Sequence, residues 1–194
     1  PGQAIGMDVT PDSRFAVVTE TATPPNTPYA LLIDLTTFKI ASKINLPLGI
    51  VPDGVAITPD GLFAYIAATP YAEGSDSTVF VIDIAARSLL TSIVIPGDAN
   101  LDQLVMTPDG VSAYLASDFS SNNVIRVIDI ATNTLAFSAR TDGFIAPLQM
   151  ALHPDGTRIY LVPRDGSPTK MRHPATNQNS GNIPGGEPGR MVPG

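Results

Sequence analysis

The chain has 194 residues, 43% of them hydrophobic and only 15% charged, a balance that supplies a buried core and argues against a disordered segment. A formal charge of −7 with no basic stripe excludes nucleic acid as a partner held by phosphate attraction. The 19 Pro and 16 Gly exclude long helices and suit many short strands joined by turns.

Cysteine is absent, so neither a disulfide nor a thiolate metal site is available. No apolar run reaches the length of a transmembrane helix, so no membrane span is expected. The sequence opens at Pro1 without an initiator Met, as expected of a processed or excised product.

Read along the chain, one pattern recurs. Thr10-Pro11-Asp12, Thr58-Pro59-Asp60, Thr107-Pro108-Asp109 and His153-Pro154-Asp155 place their Asp residues 48, 49 and 46 positions apart. A second marker follows the first three in phase: Ile33-Asp34-Leu35, Ile82-Asp83-Ile84 and Ile128-Asp129-Ile130. The second repeat is the fullest. Val55-Ala56-Ile57 predicts an inner strand that ends in the turn Thr58-Pro59-Asp60-Gly61. There Pro presets φ, Asp bonds its own backbone and Gly accepts positive φ. Phe63-Ala64-Tyr65-Ile66-Ala67, Val79-Phe80-Val81-Ile82-Asp83 and Leu89 to Ile95 supply three further strands. The third repeat matches with Leu104-Val105-Met106, Ala113 to Ala116, Ile125 to Asp129 and Leu135 to Ser138. Runs of β-branched and aromatic residues without a helical stripe, four to a repeat, are the mark of a β-propeller blade. The fourth repeat reaches Leu161-Val162, and the expected second marker never follows.

The expected fold is therefore all-β, with three complete blades and a partial fourth. The repeats span about 7–54, 55–103, 104–149 and 150–162, and a Pro/Gly-rich tail covers 163–194. The composition of that tail predicts an extended segment, unable to build outer strands and held against a neighbouring chain. Tyr65, Tyr114 and Tyr160 share one repeat position and are expected between neighbouring blades.

The pattern T-P-D-G-x-x-A-Y-[IL]-A followed by [VI]-x-V-I-D-I-A, with Thr132-Asn133-Thr134 after it, resembles the YVTN-type β-propeller repeats of bacterial and archaeal surface and periplasmic proteins. The resemblance covers Met7 to about Val162. It implies a ring of seven or eight blades, of which this chain supplies less than half or about half. It also implies a periplasmic, extracellular or cell-surface location. Such propellers include surface-layer modules, cofactor-handling proteins and relatives of lactonases, so the repeat type does not choose a function.

The repeated Asp12, Asp60, Asp109 and Asp155 are expected to serve turns, and Asp34, Asp83 and Asp129 the second hairpin, because a catalytic group would occur once. Function in a propeller belongs more to the loops entering the inner strands, here Gly49 to Gly54, Gly97 to Gln103 and Gly143 to Gln149. Asp53, Asp102, Gln103 and Gln149 are the candidate ligand-binding residues at the channel mouth; the alternative is a solvated rim. Asp98, Asn100 and Asp102 alternate like Ca²⁺ ligands, with Asp109 at the twelfth position, but Gln103 stands where an EF-hand needs Gly. No cofactor is expected. His153 reads as a turn residue, and His153 with His173 makes neither a metal site nor a triad. G-x-S-x-G, phosphate-loop and H-E-x-x-H motifs are all lacking.

The expected function is a non-enzymatic scaffold or binding module that mediates protein assembly or ligand binding. Its expected partner is another protein chain or identical copies that complete the propeller. Two other classes compete: a lactonase-like hydrolase using channel-mouth carboxylates, and a redox-accessory propeller presenting a cofactor from another chain.

Overall fold

The computed structural model describes residues 2–22, 26–72, 74–97, 101–117, 124–140, 147–163, 169–172 and 179–182. At positions 102, 117, 139, 140, 147, 148, 163, 170–172 and 179–182 it describes the backbone alone. Every helix or strand among the described residues is a strand, and the strands form four antiparallel four-stranded sheets. The first holds β1 (Gln3–Val9), β2 (Phe15–Thr21), β3 (Tyr29–Asp34) and β4 (Lys39–Asn45). The second holds β5 (Ile50–Ile57), β6 (Phe63–Pro70), β7 (Ser77–Asp83) and β8 (Ser88–Ile95). The third holds β9 (Leu101–Met106), β10 (Ser112–Ser117), β11 (Val124–Asp129) and β12 (Thr134–Arg140). The fourth holds β13 (Pro147–Leu152), β14 (Ile159–Pro163), β15 (Lys170–Arg172) and β16 (Asn179–Asn182). Each sheet keeps chain order from inner to outer strand, and the inner strands β1, β5, β9 and β13 pack in succession.

Two expectations need correction. The fourth repeat is not a two-stranded remnant, because β15 and β16 complete its sheet from within the tail. Pro cannot donate to a strand ladder, but 170–172 and 179–182 are proline-free windows, and three or four residues suffice for a short outer strand. The repeat boundaries also shift. The inner strands begin at Gln3, Ile50, Leu101 and Pro147, so most of the predicted channel-mouth loop residues are strand.

The reason for the second shift is a β-bulge in each inner strand. Ile5, Asp102 and Leu148 are each skipped in the pairing, and Asp53-Gly54 together oppose the single Ala67. A bulge carries a strand through a residue that breaks the alternation, so polar positions that read as loop stay in the ladder.

Turn chemistry is uniform. Thr10, Thr58 and Thr107 accept from the backbone N–H of Phe15, Phe63 and Ser112 at 2.9, 3.0 and 2.9 Å. Asp12, Asp60, Asp109 and Asp155 accept from the amide two residues on, at 2.8–3.0 Å. Glycines 61, 110 and 156 hold φ near 70°, and a Cβ there would lie 3.3–3.4 Å from the Pro of the preceding sheet's turn. The turns thus stack, Pro on Gly, from each sheet to the next.

Side chains alternate between the two faces of a strand, giving each sheet a leading face toward its predecessor and a trailing face toward its successor. Three buried clusters fill the junctions. Val17, Ala30 and Leu32 of the first sheet meet Ile57, Ile66 and Ile82 of the second. Tyr65, Ala67 and Val81 meet Leu104, Leu115 and Ile128. Tyr114, Ala116 and Val127 meet Met150, Ile159 and Leu161. Among the described residues no buried cluster joins the fourth sheet to the first, so the four blade-like sheets form an open succession.

Candidate functional site

The inner-strand bulges bring most of the predicted site residues onto one structural level. Asp53 lies in the β5 bulge, where its main-chain oxygen accepts from Thr19 Oγ1 at 3.0 Å. That hydroxyl oxygen also accepts from Gly6 N–H at 2.9 Å. The backbones come so close that a Cβ on Gly6 would sit 2.4 Å from the Asp53 oxygen, so only glycine fits. Asp53 is half-buried, and burial pushes its carboxyl up to about 6 against the opposing pull of a Thr69 hydrogen bond. Thr69 Oγ1 in turn accepts from Leu101 N–H at 3.1 Å, so one chain of bonds links Asp53 to the third sheet.

Other polar side chains of the inner strands also bridge sheets. Asp8 Oδ2 accepts from Ile57 N–H at 2.8 Å. Gln103 is half-buried on β9, and its Oε1 accepts from Met150 N–H at 2.6 Å. Gln149 is exposed on β13, in a shallow groove with Gln103, Ala151, Tyr160 and Val162. The structure therefore brings Gln103 and Gln149 together and leaves Asp53 at the junction of the first two sheets. Asp102 is the bulge residue of β9, with its side chain outside the described residues, as are Asp98 and Asn100 of the proposed Ca²⁺ cluster. Among the described residues no three His, Cys, Asp or Glu side chains gather as metal ligands.

The repeated carboxylates are turn groups. Hydrogen bonds from Thr10 and Thr107 and from turn amides hold Asp12 and Asp109 below the usual carboxylate range. The Thr157 hydroxyl and amide, with His153 beside them, bring Asp155 down to about 2. Asp34, Asp83 and Asp129 accept from Thr37, Ala86 and Thr132 amides in the second hairpin. His153 lies in its turn with Nδ1 2.8 Å from Asp155 Oδ1; His173 is outside the described residues.

Sequence reading missed four residues that cross a junction. Asp8, Thr19 and Thr69 make the ties above, and buried Arg126 donates from Nη2 to Pro96 O at 3.0 Å. The available signal was a polar residue at an otherwise apolar strand position, which Thr19 and Arg126 both show. Tyr65 is buried as expected, and its hydroxyl reaches Asn133 Oδ1 of the third sheet at 2.5 Å.

No family model matches the sequence, and no curated protein matches it. Solved structures share the fold. Hydrazine synthase of Kuenenia stuttgartiensis is 23% identical with a TM-score of 0.76, over 92% of this chain and 48% of that one. A functionally unknown protein of Desulfotomaculum acetoxidans is 22% identical with a TM-score of 0.69, over 92% and 54%. A protein of unknown function from Bacteroides caccae is 15% identical with a TM-score of 0.66, over 94% and 61%. These likenesses show an all-β, propeller-like fold and nothing of activity. The chain spans about half the length of the first two structures that it matches.

Proposed function

We propose that this chain is a non-enzymatic module of a YVTN-type β-propeller, exported or on the cell surface, that serves as an assembly scaffold. The observation that carries the reading is the use made of the inner-strand polar groups. Gln103 holds the Met150 amide, Asp8 holds the Ile57 amide, and Thr69 binds both the Asp53 carboxyl and the Leu101 amide. Groups spent on joining sheets are not free to converge on a substrate, whereas a hydrolase needs its acid, base and electrophile in one pocket.

A lactonase-like hydrolase is the second reading, and Asp53 is the observation in its favour. A carboxyl that takes up a proton at about 6 suits general acid–base work near neutral pH. Incubation with a panel of lactones, with and without added Ca²⁺, separates the two. The scaffold reading predicts no turnover above that of Asp53→Asn. Hydrolysis abolished by Asp53→Asn would overturn it.

A further inference from the structure

Each sheet ends on an outer strand, β4, β8, β12 or β16, whose far edge pairs with no other strand among the described residues. Such an edge is a row of unpaired backbone donors and acceptors, and charged side chains are a usual guard against pairing with another chain. β4 carries Lys39 and Lys43, and β12 ends in Arg140. β8 reads Ser-Leu-Leu-Thr-Ser-Ile-Val-Ile, with no charge, proline or glycine. Its Ser92 and Val94 stand where β4 has Lys43 and Asn45 and where β12 has Ser138 and Arg140. Leu90 and Val94 are 51% and 55% exposed. The second sheet is packed on both of its faces, so the open edge of β8 is independent of the two end faces.

We infer that β8 pairs edge to edge, antiparallel, with β8 of a second copy of this chain. The inference rests on the assembly-scaffold reading and names its partner. Further repeats of the same chain leave this edge open, because each described sheet stops at four strands and successive sheets stack face to face. Charge is what points to a second copy. Exposed Arg87, bonded through Nη1 to Ala41 O at 3.3 Å, precedes one end of β8. Exposed Asp76 stands at the other end, its Oδ1 accepting from Gly97 N–H at 2.8 Å. About a two-fold axis at Ser92, position 87 of one copy falls opposite position 97 of the other. Antiparallel pairing therefore sets the Arg87 of each copy beside the Asp76 of the other. Leu90 of each copy then lies across from Val94 of the other, and both leave water as a cross-strand pair. Such a contact is self-complementary and closes at two copies. The same pairing of β4 would set Lys43 against Lys43, and that of β12 would put Arg140 in the place of Val94.

The chain has no cysteine, so an introduced one reports without background. Ser92→Cys is made in the full chain, with Ser138→Cys as its control at the same repeat position of β12; both serines are exposed. Each variant is checked for an unchanged strand signature by circular dichroism and then oxidised. The inference predicts a disulfide-linked product of twice 20.3 kDa from Ser92→Cys and none from Ser138→Cys. Adding Val94→Lys to Ser92→Cys should abolish the product, since a charge on the edge blocks pairing. Adding Arg87→Asp should lower its yield, and Arg87→Asp together with Asp76→Arg should restore it. No product from Ser92→Cys, or an equal yield from Ser138→Cys or with Val94→Lys present, would overturn the inference. So would a double charge reversal that yields no more than the single one. None of these outcomes touches the scaffold reading, which lactone turnover tests separately.

Discussion

The interior junctions and the two end faces are built from the same repeat, yet only the junctions are finished. At the second junction Tyr65 is 1% exposed and bonded to Asn133 across the gap; Tyr160, its equivalent on the last sheet, is half-buried on an open face. A propeller blade therefore does not bury its own apolar surface. Half of its core belongs to its neighbour, as in other quasi-one-dimensional repeats.

The largest test of that contrast is the tyrosine pair. Tyr65→Ala should cost about 3–5 kcal/mol in chemical denaturation, the range for a buried large aromatic, at any protein concentration. Tyr160→Ala, at a half-buried position, should cost less. Equal losses would break the distinction between junction and end. Gly6→Ala comes next. The new methyl would press on the Asp53 oxygen at 2.4 Å, and the strain should cost about 1–3 kcal/mol, read as a lowered denaturation midpoint.

Smaller effects sharpen the role of the polar ties. Gln103→Leu leaves the Met150 amide without its acceptor and should cost about 1–3 kcal/mol, while Gln103→Glu, which keeps an acceptor, should cost less. If both variants melted like the parent, the tie would be ornamental and Gln103 free for a ligand. The subtlest test is pH. Asp53 has its folded pKa raised from 3.8 to about 6, so the folded state binds the extra proton between those values. Its contribution to stability is fully present below the unfolded pKa and is lost as pH rises through about 6. Asp53→Asn should therefore flatten the stability profile across that window and be favourable near neutral pH. An unaltered slope in thermal melts between pH 4 and about 7 would show that the carboxyl is not desolvated.

Much of the fold was legible because turn chemistry repeats. Thr, Pro, Asp and Gly at fixed offsets announce the hairpin, and apolar runs on either side announce its strands. The sheet edges were not legible. Bulges hide polar residues inside a strand, as Asp53-Gly54 does in β5, and proline-rich composition hid β15 and β16 because three backbone pairs are enough for an outer strand. The candidate site was legible as a level of the fold but not as chemistry. Whether a Gln side chain binds a ligand or a neighbouring amide depends on which strand lies beside it, and the distance from Gln103 to Met150 along the chain is 47 residues.

The most direct measurement is light scattering on the purified chain across a dilution series. Because both end faces are apolar, the account predicts a mass above 20.3 kDa at high concentration, falling toward 20.3 kDa on dilution. A constant 20.3 kDa with one cooperative melt would contradict it, since the end faces would then need no neighbour.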